Sequence, residues 1–158
     1  MAMHDLYLGL GTNLGDKEHN ISCAIDEINS RIGRVVRQSD FIITEPWGFS
    51  SDNTFLNAVI CVKTEMLSHE VLIATQQIEK LLGRKEKSFG SYHDRTIDID
   101  ILLWDDIQLL SQSLTIPHKL MTKRAFVLSP LAQIVSESFV IPGQVKTIAQ
   151  LLCDIDKF

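Results

Sequence analysis

The sequence contains no long apolar run. It is 158 residues long and 45% hydrophobic, which suffices for one well-packed core but not for two ordinary domains. Among its longest apolar stretches, residues 99–104 are interrupted by Asp100 and fall far short of the ~20 residues that a membrane-spanning helix requires. We therefore expect a single domain, residues 1–158, with no membrane span.

The start of the chain lacks the features of a secretion signal. Asp5 comes almost at once, and Gly9, Gly11 and Asn13 follow it. A signal peptide would instead show a basic segment and then an apolar core. The sequence predicts a cytoplasmic protein.

Cysteine and positive charge are both scarce. The chain has 3 cysteines without a Cys-x-x-Cys pair, and an odd number cannot complete a disulfide framework. The formal net charge is −5, whereas a protein that coats nucleic acid needs a basic surface to neutralise phosphates. We expect reduced thiols, no nucleic-acid partner, and a phosphate-binding site that is local if there is one.

The apolar pattern that is present predicts alternating strands and helices. A helix should begin at the N-cap Asp16 and end at Gly33, and a second should begin at the N-cap Ser68 and end at Gly83, with Glu79 on its polar edge. Alternating and β-branched residues predict four strands, at 6–10, 35–44, 55–64 and 97–104.

This order of elements predicts the fold class. Strand–helix–strand–strand–helix–strand is the ferredoxin-like βαββαβ arrangement, an α+β fold with a mainly antiparallel four-stranded sheet and helices packed on it. A small peripheral hairpin at 107–114 and short C-terminal helices at 123–134 and 147–152 should complete the domain.

A pair of aspartates in the fourth strand is the strongest chemical signal. In Ile97-Asp98-Ile99-Asp100-Ile101, the strand period of two sends both aspartates to one face and the isoleucines into the core. Neighbouring carboxylates repel each other unless a cation compensates them. Carboxylates suit Mg²⁺, which completes its octahedron with water and nucleotide phosphate oxygens.

The aspartates alone also fit an ordinary half-solvated strand, and Asp105-Asp106 just downstream is interpreted as a solvated turn. A basic loop at 84–94, Arg95, and a second basic cluster at 117–126 favour a metal-phosphate site. In the second cluster Arg124 is suited to bidentate phosphate binding. Ordinary solvated or structural roles stay open for Lys119, Lys123 and His118.

Together these segments resemble the 6-hydroxymethyl-7,8-dihydropterin pyrophosphokinase family over nearly the whole chain. Arg95-Thr96-Ile97-Asp98-Ile99-Asp100 and Arg124-Ala125-Phe126-Val127-Leu128 carry the most specific part of the resemblance. Further matches lie at 8–15, 44–48, 55–58, 76–79, 83–84, 117–118 and 130–131.

The resemblance implies a magnesium-dependent reaction in folate synthesis. The pyrophosphoryl group of ATP would pass to the hydroxymethyl oxygen of the pterin, with release of AMP. Two Mg²⁺ ions would bridge Asp98 and Asp100 to the ATP phosphates, which suits a reaction that depends on positioning and charge neutralisation. We expect a monomer, with a weak dimer as the alternative.

The resemblance also implies the residues of two ligand sites. Those expected at ATP are Gln76, Glu79, Arg84, Arg95, Ile101, Thr115, His118, Lys119 and Arg124, with Arg84 and Arg95 also catalytic. Those expected at the pterin are Thr44, Pro46, Trp47, Phe55, Asn57, Tyr92, Asp98 and Phe126. Aromatic rings suit stacking on a flat heterocycle, and an asparagine amide suits reading its edge.

Two other functions fit parts of the pattern. A strand-borne aspartate pair with Mg²⁺ also serves a nucleotidyltransferase, which would release pyrophosphate instead of AMP. A ferredoxin-like sensor of small ligands would have no catalytic step and would make both aspartates ordinary surface residues.

Overall fold

A computed structural model describes residues 2–45, 53–83 and 96–156 of the chain. Its strands are β1 (His4–Thr12), β2 (Arg34–Gln38), β3 (Ile42–Thr44), β4 (Phe55–Thr64), β5 (Asp98–Trp104), β6 (Leu109–Leu110) and β7 (Thr115–Ile116). Its α-helices are α1 (Lys17–Arg31), α2 (Ser68–Leu81), α3 (Ala125–Ala132) and α4 (Ile148–Asp156), and a short 3-10 helix at Met121–Lys123 precedes α3.

The main sheet has the order β2-β4-β1-β5, and β3 also pairs with β4. Every pair in it is antiparallel, and α1 and α2 connect strands that are separated by one strand in the sheet. This is the predicted ferredoxin-like βαββαβ topology. The predicted peripheral hairpin is confirmed as the antiparallel pair β6–β7.

The predicted single strand at 35–44 is wrong, because it divides into β2 and β3. Ser39 lies at the break and is buried. Its N–H donates to the carbonyl of Val59 at 2.9 Å, and its Oγ accepts the N–H of Val59 at 2.9 Å. The Ser39 hydroxyl thus accepts the bond that a backbone carbonyl would accept in an unbroken strand. The N–H of Val59 in β4 therefore keeps an acceptor although the neighbouring strand is interrupted. The main sheet consequently has five strands instead of four.

The helix boundaries confirm one predicted cap and correct another. Asp16 is the N-cap of α1, and its Oδ1 accepts the N–H of His19 at 3.2 Å. Ser68 is not the N-cap of α2; that position is Leu67, whose N–H donates to Glu70 Oε1 at 2.8 Å. The carboxylate of Glu70 in the first turn therefore accepts a backbone N–H at the start of α2, whereas Ser68 was expected to provide the capping acceptor.

Two apolar cores lie on opposite faces of the sheet. One contains Ile21 and Ile28 of α1, Ile78 of α2, and the inward side chains of the strands, including Ile99. The other contains α3 and α4 with residues such as Leu103 of β5. The domain therefore has three layers, helices–sheet–helices. Within the part of the chain that the structure describes, no helix combines the length and apolar character needed to cross a bilayer.

The turn after β5 is more than a solvated turn. Asp105 has φ +48°, and its two carboxylate oxygens lie 2.7 Å from His4 Nδ1 and from the backbone nitrogen of Asp5. The predicted turn is present at 105–106, and Asp105 in addition connects the end of β5 to the start of β1. Asp106 beside it is exposed.

Candidate functional site

Asp98 and Asp100 lie on one face of β5, as predicted. Both are half-buried, whereas Ile97, Ile99 and Ile101 on the opposite face are 0%, 2% and 6% exposed. The alternation therefore places the isoleucines in the core formed with α1 and α2. The two carboxylates stand on the other face of the sheet.

Glycines stand beside both aspartates in the neighbouring strand. Gly11 pairs with Asp98 and Gly9 pairs with Asp100 across β1 and β5. Glycine in the interior of a central strand weakens it and often marks a place where a ligand or another backbone approaches closely. The central strand here has no side chains beside the two carboxylates, and the space above its backbone is bordered by Leu102 at Gly9 and by Asn57 at Gly11.

Asn57 flanks the same space from the other side. Gly11 pairs with Asn57 across β1 and β4, so Asn57, Gly11 and Asp98 form one row across three strands. A Cβ atom at Gly11 would lie 3.0 Å from Asn57 Oδ1. No site role was predicted for Gly11, because the first strand was expected to end at residue 10, whereas β1 continues to Thr12.

The amide of Asn57 is fixed in orientation. The side chain is 5% exposed, and its Nδ2 donates to Thr44 Oγ1 at 2.8 Å. Thr44 in turn pairs with Phe55 across β3 and β4. Three of the residues predicted at the pterin, Thr44, Phe55 and Asn57, are therefore brought together at one end of β4.

Arg124 and Phe126 lie at the start of α3. Arg124 is the N-cap residue and is 5% exposed, and its guanidinium carbon lies 5.4 Å from the centroid of the Phe126 ring. A cation at that distance from an aromatic ring is attracted to its face. Phe126 packs on the core on the α3 and α4 face, the same face that carries Asp98, Asp100 and Asn57.

His118 is held against the far half of β5. Its N–H donates to the carbonyl of Leu102 at 3.0 Å, and the N–H of Leu120 lies 3.2 Å from its Nδ1. The predicted ATP residues His118 and Lys119 thus follow β7 directly and adjoin the strand of the aspartates, and Lys119 is exposed.

Glu79 is not on the polar edge of α2, and that prediction is wrong. Its side chain is 2% exposed, and Oε2 accepts the N–H of Ile99 at 2.9 Å. Gln76 on the same helix is exposed as expected. Ile101, predicted at ATP, has its side chain in the core, so only its backbone faces away from the apolar interior.

Five residues predicted in the site lie outside the described residues: Pro46, Trp47, Arg84, Tyr92 and Arg95.

The donor set fits a hard divalent cation. Within residues 2–45, 53–83 and 96–156, no group of three or more His, Cys, Asp and Glu side chains is arranged to hold a metal ion. Mg²⁺ rarely uses such an all-protein cage; it commonly takes one or two carboxylates and completes its shell with water and phosphate. Two aspartates on one rigid strand, beside the bare backbone of Gly9 and Gly11, satisfy that requirement.

Comparison with known proteins identifies relatives along most of the chain. The family model described as 7,8-dihydro-6-hydroxymethylpterin-pyrophosphokinase (HPPK) matches residues 7–136. The 2-amino-4-hydroxy-6-hydroxymethyldihydropteridine pyrophosphokinase of Porphyromonas gingivalis is 46% identical over 131 residues, 82% of this chain and 89% of that protein. The protein of the same name from Methylorubrum extorquens is 39% identical over 152 residues, 95% of this chain and 92% of its own length.

Solved structures share the fold. The wild-type HPPK-DHPS of Plasmodium falciparum with pteroate superposes with a TM-score of 0.76 at 15% sequence identity, and the match covers 99% of this chain. This chain spans 44% of the length of that larger protein. At this identity the likeness concerns the fold alone.

Proposed function

This chain belongs to the 7,8-dihydro-6-hydroxymethylpterin-pyrophosphokinase family, and on that premise we propose how its residues carry out the family's reaction. The protein is an ATP-dependent diphosphotransferase of folate biosynthesis. It transfers the pyrophosphoryl group of ATP to the hydroxymethyl group of 6-hydroxymethyl-7,8-dihydropterin and releases AMP.

Enzymes of this family use ATP and a divalent metal, and the proposal assigns the metal to Asp98 and Asp100. The metal is Mg²⁺, with two ions bound together with ATP. When bound, such ions neutralise phosphate charge and hold the reacting oxygens in line. The chain's own contribution is to keep both carboxylates on one face of β5, beside the bare backbone of Gly9 and Gly11.

The residues that we propose to contact ATP lie on two segments next to β5. His118, Lys119 and Thr115 lie on the segment whose backbone bonds to Leu102, and Arg124 begins the helix on the same face. The proposal also includes the backbone of Ile101 and the side chains of Gln76, Arg84 and Arg95. Direct contact with ATP is not proposed for Glu79, because its carboxylate is engaged with the backbone N–H of Ile99 in a buried bond.

At the pterin, Asn57 is the proposed reader of the ring edge. Its Nδ2 already donates to Thr44, so the direction of its carbonyl oxygen is set before any ligand arrives, and a preset donor-acceptor pair favours one orientation of the ligand. Stacking is proposed for Phe55, Phe126 and Tyr92, and further contacts for Pro46 and Trp47. Asp98, in the row of Asn57 and Gly11, would lie between the pterin and the phosphates.

The observation that carries these assignments is the row formed by Asn57, Gly11 and Asp98 across three strands. It places an amide suited to the pterin next to a carboxylate suited to the metal, with no side chain between them. Donor and acceptor substrates that occupy the two ends of this row would meet above Gly11. Positioning of that kind supplies much of the rate acceleration in group transfer.

Product analysis tests the assignment. The purified protein is incubated with ATP, Mg²⁺ and 6-hydroxymethyl-7,8-dihydropterin, and the products are separated by chromatography. AMP and the pterin diphosphate are expected in equal amounts. Release of pyrophosphate would point to a nucleotidyltransferase, and release of ADP to transfer of a single phosphoryl group.

Two variants then test the metal ligands. D98N removes a carboxylate charge with little change of shape, and it should abolish AMP formation. D106N makes the same chemical change at an exposed aspartate in the turn after β5 and should keep wild-type activity. Equal activity of both variants would contradict the role given to Asp98.

We further propose that the enzyme works as a cytoplasmic monomer. Gel filtration with light scattering would measure the oligomeric state.

A further inference from the structure

Glu79 occupies an unusual position for a charged side chain. It is 2% exposed and lies on the stripe of α2 that also buries Val71, Thr75 and Ile78. Burying a carboxylate is costly unless strong donors bind it. At least one donor is identified, because Glu79 Oε2 accepts the N–H of Ile99 at 2.9 Å in a buried hydrogen bond.

The position of Ile99 gives that bond its significance. Ile99 lies between Asp98 and Asp100 in sequence, and β5 has only β1 as a partner strand among the described residues. Half of the N–H groups of such an edge strand point away from the sheet. The N–H of Ile99 is one of these, and without the carboxylate it would lack its acceptor in the space between β5 and α2.

We infer that Glu79 is a positioning residue for the metal-binding carboxylates. Its bond to the N–H of Ile99 fixes the β5 backbone at the residue between Asp98 and Asp100, so it sets the spacing and direction of both side chains. This inference rests on the proposed metal role of the two aspartates. Glu79 itself is not a metal ligand and does not contact ATP.

Two features favour positioning over a purely structural role. The bond is buried and has the ordinary N–H···O length of 2.9 Å, so it holds the backbone of β5 directly. The bond also meets β5 at the peptide between the two aspartates, whereas α2 could pack on β5 through apolar side chains alone. Groups that orient metal ligands in this way typically change metal affinity or activity by 10- to 100-fold when they are removed.

Hydrogen exchange in the metal-free protein gives a direct test. The amide of Ile99 should be protected in the wild type, and E79Q, which keeps an acceptor oxygen at the same position, should preserve that protection. E79M keeps the length but removes the acceptor, and it should accelerate exchange at Ile99 by about tenfold or more while other β5 amides change less. T75V is the matched control, since Thr75 is buried one turn earlier and its Oγ1 donates to Leu72 within α2.

Magnesium dependence gives the second test. In E79M the Mg²⁺ concentration for half-maximal AMP formation should rise about 10- to 100-fold, whereas E79Q should stay within about threefold of the wild type and T75V should match it. E79D, which draws the acceptor back by one methylene, serves if E79M does not fold, and it should resemble E79M.

Several outcomes would overturn the inference. One is unchanged protection of Ile99 in E79M and E79D. Another is a fall in melting temperature with no change in Mg²⁺ dependence, which would make Glu79 merely structural. A third is a higher KM for ATP at saturating Mg²⁺ alone, which would indicate direct nucleotide contact. Failure of the proposed function is distinguishable, because the wild type itself would then form no AMP.

Discussion

Gly11→Ala is the substitution whose consequence follows most directly from the structure. The added Cβ would lie 3.0 Å from Asn57 Oδ1 and 3.8 Å from Phe55 Cδ1. Ordinary carbon contacts are about 3.5 Å or longer, so the amide of Asn57 would have to move by several tenths of an ångström. Asn57 is 5% exposed and is bonded to Thr44 at 2.8 Å, so movement strains or breaks that bond.

The magnitude follows from the bond that is lost. A neutral hydrogen bond contributes about 0.5–1.5 kcal/mol net, so the clash alone should lower the free energy of unfolding by about 1 kcal/mol, before the gain that any Gly-to-Ala change brings through the unfolded chain. The pterin site should lose a similar amount of binding free energy, which corresponds to about a fivefold to tenfold higher Kd. The affinity for a non-hydrolysable ATP analogue should change by less than about twofold, because Asn57 lies at the end of the row proposed to bind the pterin.

Gly9→Ala provides the comparison. Gly9 lies two residues earlier on the same face, and its added Cβ would meet side-chain carbons of Leu102 at 3.4–3.6 Å, a nearly ordinary contact. Both substitutions restrict the unfolded chain equally, which alone stabilises by about 0.4–1 kcal/mol. The difference between the two variants in urea unfolding and in pterin calorimetry therefore isolates the clash with Asn57. Equal stability and equal pterin Kd in the two would refute the reasoning.

Three further results are expected. D98N and D100N should each reduce turnover by orders of magnitude while the fold stays intact, because each removes a proposed metal ligand without changing the shape of the side chain; circular dichroism and AMP assays check this. G33A should cost about 1–3 kcal/mol in chemical denaturation, because its Cβ would lie 2.1 Å from the carbonyl oxygen of Lys63, where only backbone could give way. Burial, partly opposed by Arg37, raises the pKa of Tyr7 to about 12. In the unfolded chain the phenol loses its proton near the ordinary pKa of about 10. Between pH 10 and 12 the unfolded state therefore binds fewer protons than the folded state, and the free energy of unfolding should fall. Absorbance at 295 nm and pH-dependent unfolding of the wild type and Y7F test that fall, which Y7F should not show.

The fold was predictable where one residue decides one local feature. Asp16 caps α1 because its carboxylate reaches the N–H of His19, and the alternation around Asp98 predicted which side chains enter the core. The break at Ser39 was not predictable from periodicity, because it depends on the hydroxyl meeting Val59 of a strand twenty residues away. The N-cap at Leu67 was missed for a similar reason: the first-turn Glu70 supplies the acceptor expected from Ser68.

The site was predictable as a set of residue types and only partly as an arrangement. Asp98 and Asp100 were identified together because their spacing alone puts them on one face. Asn57 lies beside the aspartates only because of the register of β1 with its two neighbours. Gly11 of β1 pairs with Asn57 of β4 on one side and with Asp98 of β5 on the other. Register is fixed by the whole sheet and its cores, so no local pattern reveals which residues share a row.

Glu79 shows how a polar residue can mislead such reasoning. Its charge was taken as a sign of exposure, yet the helical period places it four residues after the buried Thr75 and next to the buried Ile78. Position on the helix and polarity thus gave opposite predictions, and position was correct. A carboxylate is stable in such an apolar stripe only when hydrogen-bond donors accompany it. The donor that the structure identifies is the N–H of Ile99 in β5, the residue between the two aspartates.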